Sequence, residues 1–293
     1  MTVDVLFPYY GDVDLMKSAV LSVLTQTYTD FRLIVIDDGY PDDSIPGWFE
    51  SLGDERVSYE RNETNLGANG NYRKAVGKVT NDLAVMMGAD DIMLPNYLQW
   101  LVDAAEAHPD ADIFQPGVVV INENGAQVHG LTEKIKDVYR PGGSGQRILT
   151  GEQLAASLLR GNWLYFPSLG WRASAMKDIG FRTGLDVVQD LALALDVAMR
   201  DGSLLFDDVV AFMYRRHSAS DSSVRALTGT RFDEERRFFL MMAEEMEALG
   251  WKKAPAVARN HLSSRLHAGT LLPKAALKGN WEGVRNLARH VIQ

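Results

Sequence analysis

The stretch FRLIVIDDGYPDD, residues 31–43, joins a nearly unbroken apolar run to four aspartates within eight positions. Unbroken runs belong to strands covered on both faces, as in a parallel sheet; a strand with one wet face alternates apolar and polar residues instead. A second run, Leu83 to Met87, leads to another acidic pair, Asp90 and Asp91. Around these two the patterns alternate. VDVLFPY (3–9) has strand length, and apolar residues at 15, 16, 19, 20, 23 and 24 have helical spacing. VSYERN (57–62) predicts a strand, GNYRKAVGKV (70–79) a helix, and PNYLQWLVDAAEAH (95–108) a helix with Pro95 in its first turn. ADIFQPGVVVIN (111–122) returns to strand character. This order predicts an α/β fold with a doubly wound, mostly parallel, Rossmann-like sheet flanked by helices, whose ligands sit at the carboxyl ends of its strands.

Residues 122–148, which include PGGSGQR, read as an irregular excursion. Beyond them come a helix over 151–160, a strand around SLGWR (168–172), a helix from Ala173, a strong helix in VVQDLALALDVAMRDG (187–202) and a strand in LLFDDVVAFMYRR (204–216). From 231 the pattern is helical, with Phe232, Phe239, Met242, Met246 and Leu249 on one face. Two units are expected: an α/β domain over 1–228 and a helical C-terminal extension over 229–293.

Composition narrows the classes. The 46% apolar and 24% charged residues are those of a globular protein. No apolar run approaches the roughly 20 residues of a spanning helix, and the start MTVDVLFPYYGD lacks the basic opening of a signal peptide. Absence of cysteine excludes disulfides, thiolate metal sites and a cysteine nucleophile, and fits a cytoplasmic location. A net charge of −9 argues against nucleic-acid binding. That average hides an asymmetry: residues 252–293 hold eight Lys/Arg and one acid (+7), and the first 251 hold 22 against 38 (−16). Two readings of the basic tail stay open. It could bind an anionic membrane surface, placing the protein peripherally at the inner membrane face, or it could pack on the acidic body or a second subunit of a homo-oligomer.

The two acidic strand ends should face one cleft. Such a cluster repels itself unless a cation or a donor-rich ligand offsets it, and hard oxygens without His or Cys suit Mg²⁺ or Mn²⁺ shared with substrate phosphates. Neither a P-loop nor a nucleophile elbow is present. As acceptor-stacking residues Trp163, Tyr165 and Trp171 compete with a plain core role.

Several linked segments resemble family 2 glycosyltransferases: VDVLFPYYGDVDLMKSAVLSVLTQTYTDFRLIVIDDGYPDDS, NETNLGANGNYRKAV, VMMGADDIMLPNYL, YFPSLGWRASAMKDIGF, VVQDLALALDVAMRDG and MYRRHSASDSS, in the family's order over roughly residues 3–223. The resemblance implies a GT-A fold, with residues 1–228 as the nucleotide-sugar-binding and catalytic domain, and an inverting transfer, by direct displacement, from a nucleotide diphosphate sugar (a UDP-sugar is expected) to the hydroxyl of a carbohydrate or lipid-linked acceptor, in polysaccharide or glycoconjugate synthesis. It implies that Asp38, with Asp37 beside it, binds the base in a pocket lined by Pro8 and Tyr10. Asn65, Gly67 and Asn71 would complete the donor site, Asp90 would face the ribose or sugar, Asp91 would ligate Mg²⁺ or Mn²⁺, and Asp190 would be the catalytic base. Asp186, four residues earlier, is a rival base if the helix extends that far. His217, with Arg215 and Arg216 beside it, is read either as a ligand of metal or diphosphate or as a solvated loop residue. Gly11 stands where the family usually has Asn, and Gln189 where it has Glu. Two alternatives accompany this reading, a catalytically inactive nucleotide-sugar-binding protein and a nucleotidyltransferase.

Overall fold

The computed structural model describes residues 1–216 and 229–292. Its sheet comprises β1 (Val3–Tyr9), β2 (Phe31–Asp37), β3 (Val57–Arg61), β4 (Leu83–Met86), β5 (Ile92–Met93), β6 (Ile113–Ile121), β7 (Arg147–Thr150), β8 (Gly170–Arg172) and β9 (Ser203–Arg215). The spatial order is β3-β2-β1-β4-β8-β6-β9-β5, with β7 paired to β9. From β3 to β4 all pairs are parallel; β8 then runs antiparallel between β4 and β6, and β9 returns parallel to β6. Tyr9 of β1 lies level with Asp37 of β2, which lies level with Arg61 of β3, so three strands end on one rim.

Helices cover both faces: α1 (Val13–Leu24), α2 (Ser44–Ser51), α3 (Gly67–Val76), α4 (Tyr97–Ala107), α5 (Leu131–Tyr139), α6 (Gly151–Arg160), α7 (Ala173–Ile179) and α8 (Gln189–Met199). Alternate strand residues feed two separate cores. Leu6, Ile34 and Ile36 pack with residues of α6 and α8. Val5, Phe7, Leu33 and Val35 pack with residues of α1 and α4. Burying both faces is why the run at 31–36 has no alternation, and each fully buried aliphatic side chain contributes about 1.5–3 kcal/mol. Within this apolar setting Asp4 is fully buried but saturated: its carboxylate accepts from Arg32 Nη2 (2.7 Å), Thr80 N (2.8 Å) and Asn81 N (2.9 Å). Burial alone would raise its pKa; these donors outweigh it and hold the group below the usual carboxylate range.

Several expectations need correction. The stretch 122–148 contains α5 and β7. Pro95 precedes α4, which begins at Tyr97 after Asn96. Trp163 and Trp171 are wholly buried in the core beneath α6 and α8 and are closed to an acceptor. Leu249 is half exposed, unlike its buried stripe partners Phe232, Phe239, Met242 and Met246.

Four helices follow: α9 (Thr230–Ala248), α10 (Lys253–Asn260), α11 (Leu262–Leu277) and α12 (Trp281–Ile292). Phe238, Phe239, Met242 and Met246 of α9 and Ala254 and Ala258 of α10 join the core that holds α6 and α8. Phe232, Ala268, Ala275 and Leu287 form a small core of their own, tying α11 and α12 to the start of α9. Among the described residues no helix is long and apolar enough to cross a membrane.

Candidate active site

At the end of β2 two adjacent aspartates take different parts. Asp37 is fully buried: Oδ1 accepts from Tyr40 N (2.8 Å), Oδ2 from the Tyr59 hydroxyl (2.6 Å), and Arg61 Nε lies 3.8 Å away. Expected in the base pocket, it instead braces the turn over Gly39, whose φ of 75° suits a residue without Cβ. Asp38 Oδ1 accepts from Asn62 Nδ2 and Leu66 N, both at 2.8 Å. Asn62 also donates to Asn71 Oδ1 (3.2 Å), and Asn71 Nδ2 donates to the Ile36 carbonyl (2.9 Å). Asn71 is therefore buried and turned inward, fastening α3 to the end of β2. Asn65 is exposed; its Oδ1 accepts from Gly67 N (2.9 Å), and Gly67 takes φ 73° to open α3. Pro8 is buried within β1. Tyr10, 56% exposed, stands edge-on to Tyr40 with ring centroids 5.2 Å apart.

A second group gathers beyond β4. Asp91 is buried, and its Oδ1 accepts from Arg215 N (2.7 Å). Its Oδ2 is buried with no hydrogen-bond partner. Desolvation first, then the charge of Asp90, pushes this carboxyl well above the ordinary range, against the pull of Arg215. Gly88 leaves the room: a Cβ there would come within 2.4 Å of Asp91 Oδ2 and 3.2 Å of Asp90 Oδ1. An orphaned buried oxygen beside a second, half-buried carboxylate fits a hard divalent cation, with diphosphate and water supplying the remaining ligands. Among the described residues no third His, Cys, Asp or Glu joins such a group. His217 lies outside the described residues. Arg215 is occupied structurally, its Nε donating to the Asp90 carbonyl (2.7 Å) and its Nη1 to the Asn122 and Glu123 carbonyls (3.1 Å each). Arg216 pairs with Glu133 at 2.8 Å.

Asp190 is the second residue of α8. The helix starts at Gln189, so Asp186 is not on it; Asp186 is exposed in the preceding turn. Burial raises the Asp190 pKa, opposed by the Leu191 N–H and by the charges of Lys136 and Arg231. Gln189 Oε1 accepts from Asn69 Nδ2 (2.7 Å), so an amide here joins α8 to α3 where the family's Glu would add charge. Glu234 of α9 holds the turn before Asp190: its Oε1 accepts from the backbone N–H of Asp186 (3.0 Å), Val187 (2.7 Å) and Val188 (3.2 Å).

One phenol links the two acidic groups. Burial, then the charges of Asp190, Asp90 and Asp91, pushes Tyr72 up to about 12, so the three carboxylates lie near one phenol. Lys136 of α5 lies near Asp190 as well. Its ammonium donates to the Leu164 carbonyl and lies 3.9 Å from the Tyr165 ring centroid. Burial drops it to about 7, with Asp190 and Glu133 opposing that drop and Arg216 adding to it. Sequence reasoning missed Lys136, Glu234 and Tyr72. Gly88, two residues before the acidic pair, was the one sequence cue to a tight carboxylate site.

The model of Glycosyl transferase family 2 matches residues 4–166, more than half of the chain. The chain belongs to that family. It is a glycosyltransferase with a GT-A fold. An uncharacterised protein of Mycobacterium tuberculosis is 24% identical over 267 residues, covering 87% of this chain and 80% of its own. An uncharacterised glycosyltransferase of Methanocaldococcus jannaschii is 30% identical over 112 residues, covering 38% of this chain and only 39% of its own. Among solved structures, S. aureus TarS (residues 1–349) in complex with UDP-GlcNAc aligns with a TM-score of 0.69 at 15% identity, covering 90% of this chain and 72% of that one. The mannosyltransferase PcManGT of Pyrobaculum calidifontis, in complex with GDP-Man and Mn²⁺, gives 0.58 at 17%, covering 99% and 73%. At these identities the likeness is one of fold.

Proposed function

We propose that the protein moves a sugar from a nucleotide diphosphate donor, a UDP-sugar by expectation, to a hydroxyl acceptor with inversion at the anomeric carbon. The observation that carries this reading is the buried, unpartnered Asp91 Oδ2 beside Asp90, with Asp190 near enough that all three carboxylates act on Tyr72. Support also comes from the solved relatives, TarS bound to UDP-GlcNAc and the mannosyltransferase bound to GDP-Man and Mn²⁺.

In this mechanism Asp38 and the open Tyr10–Tyr40 pair receive the nucleobase, with Asn62 and Asn71 holding Asp38 in place. Asp91 and Asp90 would hold Mg²⁺ or Mn²⁺. The bound cation supplies electrostatic stabilisation of the departing diphosphate. Asp190 accepts the proton of the acceptor hydroxyl as that oxygen attacks the anomeric carbon and the bond from carbon to the diphosphate oxygen breaks. When protonated, Lys136 lowers the Asp190 pKa and so favours the ionised form that can act as a base. No covalent sugar–enzyme bond forms.

A thermal-shift series tests this, using UDP, GDP and their sugars with and without Mn²⁺. Donor at a hundredfold excess over Kd should stabilise the fold by about 2.7 kcal/mol. A melting temperature unmoved by every nucleotide refutes the proposal.

A further inference from the structure

The last two helices form a hairpin that turns at Gly279, where φ is 70°. At that turn Leu277 is 90% and Trp281 69% exposed, and Ile292 at the far end of α12 is 80% exposed. On α11 the positions 262, 266, 273 and 277 fall within an arc of about 60° at 100° per residue. They are Leu262, Leu266, Pro273 and Leu277, all exposed, so the helix carries an uncovered apolar stripe. Beside the turn stand Lys274 and Lys278, and the exposed face of α12 carries Arg285 and Arg289 between Trp281 and Ile292.

Charge identifies what covers this surface. Arg259 of the tail pairs with Glu247, but among the described residues Lys274, Lys278, Arg285 and Arg289 make no ion pair with the protein's own acids, so the charge around this turn is not spent on the body. A second copy docking by the same patch would bring two +7 tails together, which repel. A nucleic acid would meet the acidic body. An exposed Trp and Leu at a helical turn flanked by four Lys and Arg, against the single exposed acid Glu282, match an anionic lipid surface, where aromatic and aliphatic groups enter the headgroup boundary and cations stay above it. We propose that the α11–α12 hairpin docks the protein peripherally on an anionic bilayer, inserting Leu277 and Trp281. This surface lies outside the catalytic residues and is independent of the donor assignment.

Because the chain has no cysteine, Leu277→Cys gives a single labelling site. The full-length protein carrying an environment-sensitive dye there is mixed with vesicles of phosphatidylcholine alone or with added phosphatidylglycerol. The expected result is co-sedimentation and a blue-shifted dye with anionic vesicles at about 50 mM salt, both lost near 500 mM, where screening is strong. Each basic residue near the surface contributes about fivefold in partition, so Lys274→Gln with Lys278→Gln should weaken binding by about 25-fold. Trp281→Glu with Leu266→Glu should abolish it, while thermal melting and the nucleotide shift stay unchanged because both sites are exposed. Equal partition onto neutral and anionic vesicles, no partition at all, or a blue shift that grows with protein concentration in the absence of lipid overturns the proposal; the last outcome assigns the face to a second copy.

Discussion

Replacing Asp91 by Asn separates the two roles that its carboxylate plays. Oδ1 accepts the Arg215 N–H at 2.7 Å, and the amide oxygen of Asn keeps that bond. Oδ2 is buried and unpartnered, next to Asp90, and a stranded buried polar group costs about 1–3 kcal/mol, more when charged. An amide nitrogen in its place turns repulsion from Asp90 into attraction. Without metal, Asp91→Asn should therefore be more stable than the natural protein by about 1–3 kcal/mol, read as a melting temperature higher by about 2–4 °C per kcal/mol. The sign with pH follows from the raised pKa. A carboxyl whose proton affinity rises on folding contributes its stability in full below the ordinary carboxylate range and loses it as pH rises through the raised value. The natural metal-free protein should thus lose stability over that rise, and Asp91→Asn should not. With Mn²⁺ and UDP the order inverts, since the variant forfeits the stabilisation by bound ligand. Scanning fluorimetry across pH, with EDTA or with Mn²⁺ and UDP, reads all of these. A variant that melts lower without metal and keeps the Mn²⁺-dependent gain would refute the reasoning.

Gly88→Ala should also remove the Mn²⁺-dependent shift, because its Cβ would sit 2.4 Å from Asp91 Oδ2; the overpacking should cost about 1–3 kcal/mol in denaturant melts. Asp190→Asn should lower turnover by about 10²–10⁴-fold with donor binding unchanged, measured as sugar release or transfer alongside calorimetry. Lys136→Met removes a charge that lowers the Asp190 pKa, so the acidic limb of the kcat profile should move to higher pH; an unmoved limb would leave Lys136 a purely structural group. Asp4→Ala strips the partner from Arg32 and three donors of Thr80 and Asn81 and should cost about 3 kcal/mol in urea melts at neutral pH. Because folding lowers the Asp4 pKa, its contribution is present above the ordinary carboxylate range and fades as pH falls through the lowered value, so the gap between natural and variant protein should close in acid.

The strands were legible because burial on both faces leaves an apolar run, and β1, β2, β4 and β6 each show one. The rim was legible because parallel strands deliver their last residues to one edge. Helix α5 was passed over: Leu131, Ile135, Val138 and Tyr139 of LTEKIKDVY have helical spacing, but Gly125 and Gly130 before them and PGGSGQR after them read as loop. Its meaning lies in Lys136, which matters only because folding sets it against Tyr165 and Asp190, far along the chain. Asp37 and Asp38 could not be told apart by type. Only the direction of each side chain, one toward Tyr59 and one toward Asn62, separates a turn brace from a carboxylate that ties the end of β2 to the start of α3.

Local order of apolar and acidic residues, then, determined by itself the α/β class, the sheet's rim of carboxylates and the family. Tertiary structure decided which carboxylate is already satisfied and which is stranded, where α8 begins, and which face of the basic tail is left uncovered. Those depend on partners distant in sequence, and a buried oxygen's energy is set by what surrounds it rather than by what adjoins it along the chain.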